Sequence, residues 1–331
     1  MRPLRTTLKL LLAIATAMSL FAQPPHEQAA QANSALQAGE AEKALALLRP
    51  LLQSGAATAE EHNLECRVRF TLEDWDAAAR ECELAVSLDG QNSSYHLWLG
   101  RALGEKANRA SFFTAYSLGR RVLAQFQEAV RLNGRNAEAL WDLGDFYFSA
   151  PMVVGGGLGK AEAVAAQLEK VDGARAHEMR GRIAMERKDY GTAEREFKQA
   201  IAAGAHPAFQ WTTLAAFYRQ QQRWQEMDAA IHGCVTAAER DKRAGVALVD
   251  GASILIGTNR DLPLAAKMME SYLAGTWKTE EAPAFVVHTR LARLKQQLGD
   301  SAGAKQEQAA ALALAHEYRP AQDLKLQETR H

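Results

Sequence analysis

One spacing organises this chain. In residues 176–207, "AHEMRGRIAMERKDYGTAEREFKQAIAAGAHP", Gly181 is followed by Ala193 twelve residues on and by Ala200 seven further. Ala215, Met227 and Cys234 repeat the two steps, and Gly181 to Ala215 is 34 residues. An aromatic stands three before the middle position in both units, as Tyr190 and Trp224. Toward the N-terminus, Ala32, Ala44 and Leu51 fit the same ruler. So do Cys66, Ala78 and Ala85, with Trp75 in the aromatic place. Ala32, Cys66 and Gly100 are again 34 apart, and Ala292, Ala304 and Ala311 give one more copy.

The steps have a physical meaning. Residues seven apart lie on one face of a helix, two turns along. A residue twelve earlier sits on the preceding helix, across a short turn. Small residues at these places let two antiparallel helices approach, and the aromatics fill the space left inside the pair. The breaks "LQAGEAEK", "LEDWD", "ERKDYG" and "QQLGDSAG" carry the Gly and Asp that helix ends and caps prefer.

The pattern resembles the tetratricopeptide repeat. The segments that carry the likeness are "LWLGRAL" (residues 97–103), "LWDLGDFYF" (residues 140–148) and "MRGRIAMERKDYGTAEREFKQAI" (residues 179–201). The family's usual proline after the second helix is mostly missing; Gly90, Gly134 and Ala205 stand near its place. The resemblance implies an all-α, right-handed solenoid of about eight helix–turn–helix units over residues 23–318, followed by a polar tail at 319–331. No segment alternates cleanly like a strand; "FVVHT" comes nearest and fits a helix start.

Three units break the ruler. Gly100, Val122 and Ala129 are spaced 22 and 7, which puts ten extra residues near 105–121. Gly144, Ala161 and Leu168 are spaced 17 and 7, with five extra near 150–160. Gly251, Ala266 and Leu273, spaced 15 and 7, place three extra near 257–263. Insertions at equivalent turns of consecutive units fall on one edge of a solenoid. The first two should therefore meet as a rim. The rim carries Phe112, Phe113 and Tyr116 from one side and Pro151, Met152 and Val153, with Val154, from the other. Left bare, these residues are costly, so they are expected to pack on each other or on a partner.

The second insertion, "SAPMVVGGGLGKAEA" (residues 149–163), superficially offers a phosphate cradle. A phosphate loop needs G-x-x-x-x-G-K-[ST] after a strand. Val154 stands where the first Gly should be, Ala161 where the hydroxyl should be, and a helical segment precedes it. The third Gly of a dinucleotide fingerprint is replaced by Lys160. "HEMRG" and "HEYRP" lack the second His of a zinc-protease helix, and the nine His read as scattered. No catalytic residue, metal ligand or cofactor site is expected.

Lys+Arg and Asp+Glu both total 39, which argues against a nucleic-acid binder. The N-terminus reads as an export signal: Arg2, Arg5 and Lys9, then the apolar run "LLLAIATAMSLFA" (residues 10–22), then polar "QPPHEQ". A run of 13 residues is short for a membrane span, which needs about 20. Cleavage is expected near Ala22, giving a signal peptide at residues 1–22 and a periplasmic or secreted chain; an uncleaved N-terminal anchor is the alternative. Cys66 and Cys82 fall on facing sides of one helix pair. In an exported chain they are suited to a disulfide worth about 3 kcal/mol. The other reading is two small buried residues.

The residue after the small slot of each first helix should face the concave groove. These are Arg67, Arg101, Asp145, Arg182 and Arg293, with Asn33 in the first unit, and helical spacing adds Phe70, Leu97, Trp141 and Phe148. Arginine forks suit carboxylates and aromatics serve as anchors. The other reading is that these arginines are solvated, or paired with neighbours such as Glu105, Glu178 or Glu186. Grooves of the resembled family hold extended peptides or partner helices. The resemblance therefore implies a non-enzymatic scaffold of the cell envelope with a protein or peptide partner in the groove and at the rim. The alternative is an enzyme or small-ligand binder with a pocket beneath the two insertions.

Overall fold

In a computed structural model the described residues are 24–326, and they form seventeen α-helices and no strand. The signal-peptide segment, residues 1–22, lies outside the described residues. Sixteen helices form eight antiparallel pairs. They are α1 (Pro25–Ala38) with α2 (Ala41–Leu52), α3 (Ala59–Thr71) with α4 (Trp75–Leu88), and α5 (Ser93–Arg109) with α6 (Phe112–Leu132). Next come α7 (Ala137–Ser149) with α8 (Leu158–Leu168), α9 (Gly173–Glu186) with α10 (Tyr190–Ala203), and α11 (Pro207–Gln220) with α12 (Trp224–Arg240). The last pairs are α13 (Val246–Gly257) with α14 (Leu262–Ala274) and α15 (Ala284–Gln297) with α16 (Ser301–Leu314). A short α17 (Arg319–Gln322) caps the end with Ala321 buried, so the expected polar tail begins as part of the packed body.

The small slots are the helix crossings. Ala32, Cys66, Ala193, Ala200, Ala215, Ala304 and Ala311 are all buried. The Phe197 ring packs on Gly181, sixteen residues before it. Cys66 and Cys82 occupy the same two places in α3 and α4. Their sulfurs are bonded, with the Cα atoms 5.3 Å apart. In the third unit the Phe126 ring packs on Gly100, with the ten extra residues added to the interval.

The turns repeat as faithfully. A left-handed residue ends the first helix at Gly39, Glu73, Lys188, Gln222, Asn259 and Gly299. The next amide reaches back five residues, as Asp74 N–H to Arg69 O at 3.0 Å, satisfying a carbonyl at the helix end. Asp74, Asp189 and Asp300 then cap the second helix through their side chains. The left-handed residue follows the small slot by seven. In the seventh unit it is Asn259, which moves the slot from the expected Gly251 to buried Ala252. Buried Ala265 and Tyr272 replace the expected Ala266 and Leu273, and the three-residue insertion shrinks to one.

The ten extra residues near 105–121 do not make a loop. They lengthen both helices: α5 has 17 residues and α6 has 21, against 14 in α4, α9 and α10. Seven residues at 1.5 Å each carry the end of α6 about 10 Å past its neighbours.

The ends of the solenoid meet. Leu36, Leu48 and Leu64 from the first units share one core with Phe285, Ala311 and Tyr318 from the last. The Phe285 and Tyr318 rings stack edge to face at 4.9 Å, and the Tyr318 hydroxyl donates to Glu73 at 3.0 Å. The segment between α14 and α15 bridges across the concave side, where Glu280 accepts both a fork from Arg67 and a bond from Gln37. The repeat pattern leads one to expect an open groove. The array instead closes on itself, because the last pair offers apolar surface that the first pair lacks a neighbour to cover.

Candidate binding chamber on the inner face

The groove arginines lie on the inner face, and their forks are already occupied. Arg101 donates to Asp142 at 2.6 Å and to Glu138 at 3.1 Å. Arg182 donates to Asp145 at 2.5 Å and lies over the Phe148 and Trp141 rings. Arg67 is held by Glu280 and stacks on Trp98. Arg293 sits apart, donating to Pro320 O in a cleft of about 1000 Å³ near the chain's C-terminal end. Leu97 is a core residue, 2% exposed, and Phe70 is wedged edge-on between Trp75 and Trp98. Of the two readings of these arginines, Arg67, Arg101 and Arg182 follow the paired one, each bonded to a carboxylate, while Arg182 uses a single nitrogen and Arg293 meets only a backbone carbonyl. Removing the Arg101 guanidinium would strand Asp142, whose carboxyl burial raises and Arg101 opposes.

The charge left over is negative. A chamber of about 850 Å³ runs along α7, α9, α11 and α13, with Arg101 and Trp141 in its wall. Asp250 and Glu281 face it, and neither carboxylate has a hydrogen-bonded or ion-pair partner among the described residues. Asp250 is exposed to the chamber but surrounded by protein, and that desolvation pushes its carboxyl up to about 6, with Arg290 opposing the rise and Glu281 adding to it. Glu281 is raised too, by burial first and then by Glu138. Glu178 lies deeper, raised by burial, with Thr213 Oγ1 at 3.4 Å. Gln210, 8% exposed, lines the same wall, and its Oε1 has no hydrogen-bond partner. Trp141 and Phe209 give the wall aromatic surface.

Sequence reasoning placed the inner face at the residue after each small slot. It missed the residue two before it, which yields Asp142, Thr213 and, in the corrected register, Asp250. It also missed a rule among the histidines. His62, His177 and His288 each stand four before a small slot. Each bonds a Glu nineteen residues on, as His62–Glu81 at 2.8 Å, His177–Glu196 at 2.8 Å and His288–Glu307 at 2.6 Å. His96 does the same with Gln125 at 2.7 Å, ten residues further because of the insertion. These histidines tie the two helices of a unit together.

The rim packs on itself only in part. Val154 sits against Gly119 and Gly155 against Leu123, so the short 3₁₀ turn (Met152–Val154) lies on α6 and leaves that contact filled. The alternative of a pocket beneath the insertions finds this underside packed. Mutual packing stops there: Phe112, Phe113, Tyr116, Pro151, Met152 and Val153 all stay exposed. Lys160 is tied back to Gly155 O at 2.7 Å.

A solved structure matches part of this fold. A thermophilic TPR protein of Thermus thermophilus matches with a TM-score of 0.50 at 15% identity, over 59% of this chain and 98% of that one. The fold is a tetratricopeptide-type solenoid. The C-terminal part of a TPR repeat-containing protein from Cytophaga hutchinsonii matches 75% of this chain and 95% of its own, at 14% identity and a TM-score of 0.43. MamA matches 53% and 94% at 16% identity and a TM-score of 0.35. No protein-family model matches the chain, and no curated protein does.

Proposed function

We propose that this chain is a non-enzymatic protein-interaction scaffold of the cell envelope, and that its inner chamber holds a basic segment of the partner. The observation that carries the reading is a pair of carboxylates without a bonded partner among the described residues, Asp250 and Glu281, beside aromatic Trp141 and Phe209 in a chamber of about 850 Å³. A lysine or arginine side chain suits such a place: it meets two carboxylates without displacing an internal partner, and its stem lies on aromatic surface. The carboxylates that already hold Arg67 and Arg101 also favour a basic partner over an acidic one. The envelope location rests on the N-terminal charge-then-apolar order of residues 1–22.

Calorimetry with a short oligolysine and a short oligoglutamate peptide tests this directly. Oligolysine should bind, and Asp250→Asn combined with Glu281→Gln should weaken it at least tenfold with the helical signal unchanged. Equal binding of the two peptides, or an unaffected double variant, removes the reading. Affinity capture from the native envelope fraction should then return a protein with an exposed basic segment.

A further inference from the structure

The extended end of the α5–α6 pair has no role in the chamber and no cover of its own. Phe112 and Phe113 stand at its end, 77% and 83% exposed, edge to face with each other. Tyr116 follows one turn along α6. On the same edge, Met152 is 83% exposed beside α6. Exposed aromatic and Met side chains at the far end of a helix pair that outgrows its neighbours contribute nothing to the solenoid's own core.

The two stretches of chain that carry them hold cations and no acid. From Lys106 to Gln127 the sequence holds Lys106, Arg109, Arg120 and Arg121 and no acid. From Phe146 to Ala161 it holds Lys160 and no acid. Lys106, Arg109 and Arg121 have carboxylate partners in Asp76, Glu105 and Glu83. Arg120 and Lys160 have none among the described residues, and both are exposed. Apolar and aromatic residues at an end, with lysine and arginine set behind them, match the layering of a lipid interface. The rings enter the headgroup boundary and the cations stay with the phosphates.

We propose that this end docks peripherally on an anionic lipid bilayer, with Phe112, Phe113 and Met152 entering the interface and Arg120 and Lys160 facing the headgroups. No helix among the described residues is long and apolar enough to cross a membrane, so the contact is with the surface. The proposal is independent of the chamber reading, and either one can fail alone.

The test is flotation of the full chain with vesicles of phosphatidylglycerol mixed with phosphatidylethanolamine, against vesicles of phosphatidylcholine alone. Wild type should bind the anionic vesicles at least tenfold more tightly, and Phe112→Ser/Phe113→Ser/Met152→Ser should lose that difference. The three side chains are solvent-exposed, so circular dichroism and melting should stay unchanged. A Phe113→Trp variant adds a local readout: its extra emission should shift blue and be quenched by brominated anionic lipid. Equal binding to both vesicle types overturns the proposal, and so does a triple variant that binds like wild type. A triple variant that keeps lipid binding but loses an envelope protein in capture makes this end a protein-docking surface, which also overturns it.

Discussion

Arg67 and Glu280 lie 213 residues apart and close the solenoid with a forked ion pair, Nε and Nη2 reaching the two carboxylate oxygens at 2.9 and 2.6 Å. A linear repeat array has only nearest-neighbour coupling. Here the second unit is held to the segment before the eighth, and the apolar contact around Phe285 and Tyr318 lies beside it. Glu280→Ala leaves the half-buried Arg67 without its carboxylate. The expected cost is about 2 kcal/mol, between an exposed and a fully buried pair. Urea unfolding should also broaden, because the terminal pairs lose a partner outside their own sequence neighbourhood. A change below about 0.5 kcal/mol with an unaltered slope would mean that the closure is held by the apolar contact alone.

Gly39 is the tightest point of that closure. It has a φ of +74°, and a Cβ there would lie 2.2 Å from the Ala284 amide nitrogen. Gly299 occupies the same turn position in the last unit with a φ of +85° and open space around it. Ala at Gly299 should cost about 1 kcal/mol, the left-handed penalty alone. Ala at Gly39 must also push the first turn off α15, and should cost roughly 3 kcal/mol, the scale of an overpacking strain added to that penalty. Thermal melts of the two variants compare them within one protein. Equal losses would show that the first and last pairs yield without resistance.

The left-handed turn residues offer the opposite experiment. Lys188 and Gln222 have φ of 61° and 55°, and neither side chain bonds anything among the described residues. Glycine relieves the strain at a smaller loss in unfolded-chain entropy, so Lys188→Gly and Gln222→Gly should each add about 0.5 kcal/mol. Alanine at either place should add nothing. Glu73, whose carboxylate receives Tyr318, should lose more than it gains on the same exchange.

What the sequence made legible follows from what repeats. The 34-residue ruler located the helix crossings because the steric demand at a crossing is the same in every unit, down to Cys66 and Cys82 standing where Gly181 and Phe197 stand. The turn residues were legible as Gly and Asp signals for the same reason. Closure was not, because Arg67, Gln37 and Glu280 obey no period and their meeting depends on the summed curvature of eight units. The inner face was legible one residue at a time: Arg101 and Arg182 were placed on it, but not Asp142, which takes the Arg101 fork from the next unit. The seventh unit was misread by one residue because Gly251 and Ala252 are both small. Only the backbone turn at Asn259 distinguishes them.

Asp250 connects stability to the proposed binding. It reaches the water of the chamber but is ringed by protein, and its folded-state carboxyl is up at about 6, against about 3.9 for an unperturbed aspartate. A raised carboxyl takes its proton in the folded state first, so this group adds stability as pH falls from 7 toward 4 and costs stability above 6. Asp250→Asn removes the charge and with it the cost. The variant should be more stable than wild type at pH 7.5, by about 1 kcal/mol once contact with chamber water is allowed for. At pH 3.5, where the wild-type group is protonated, the gain should vanish. Oligolysine affinity should move the other way, falling at pH 7.5 in the variant while the fold becomes firmer. A carboxylate kept at a stability cost and used for binding produces both changes together. If Asp250→Asn left stability unchanged between the two pH values, the carboxyl would be an ordinary solvated one, and its place in the binding chamber would lose its physical support.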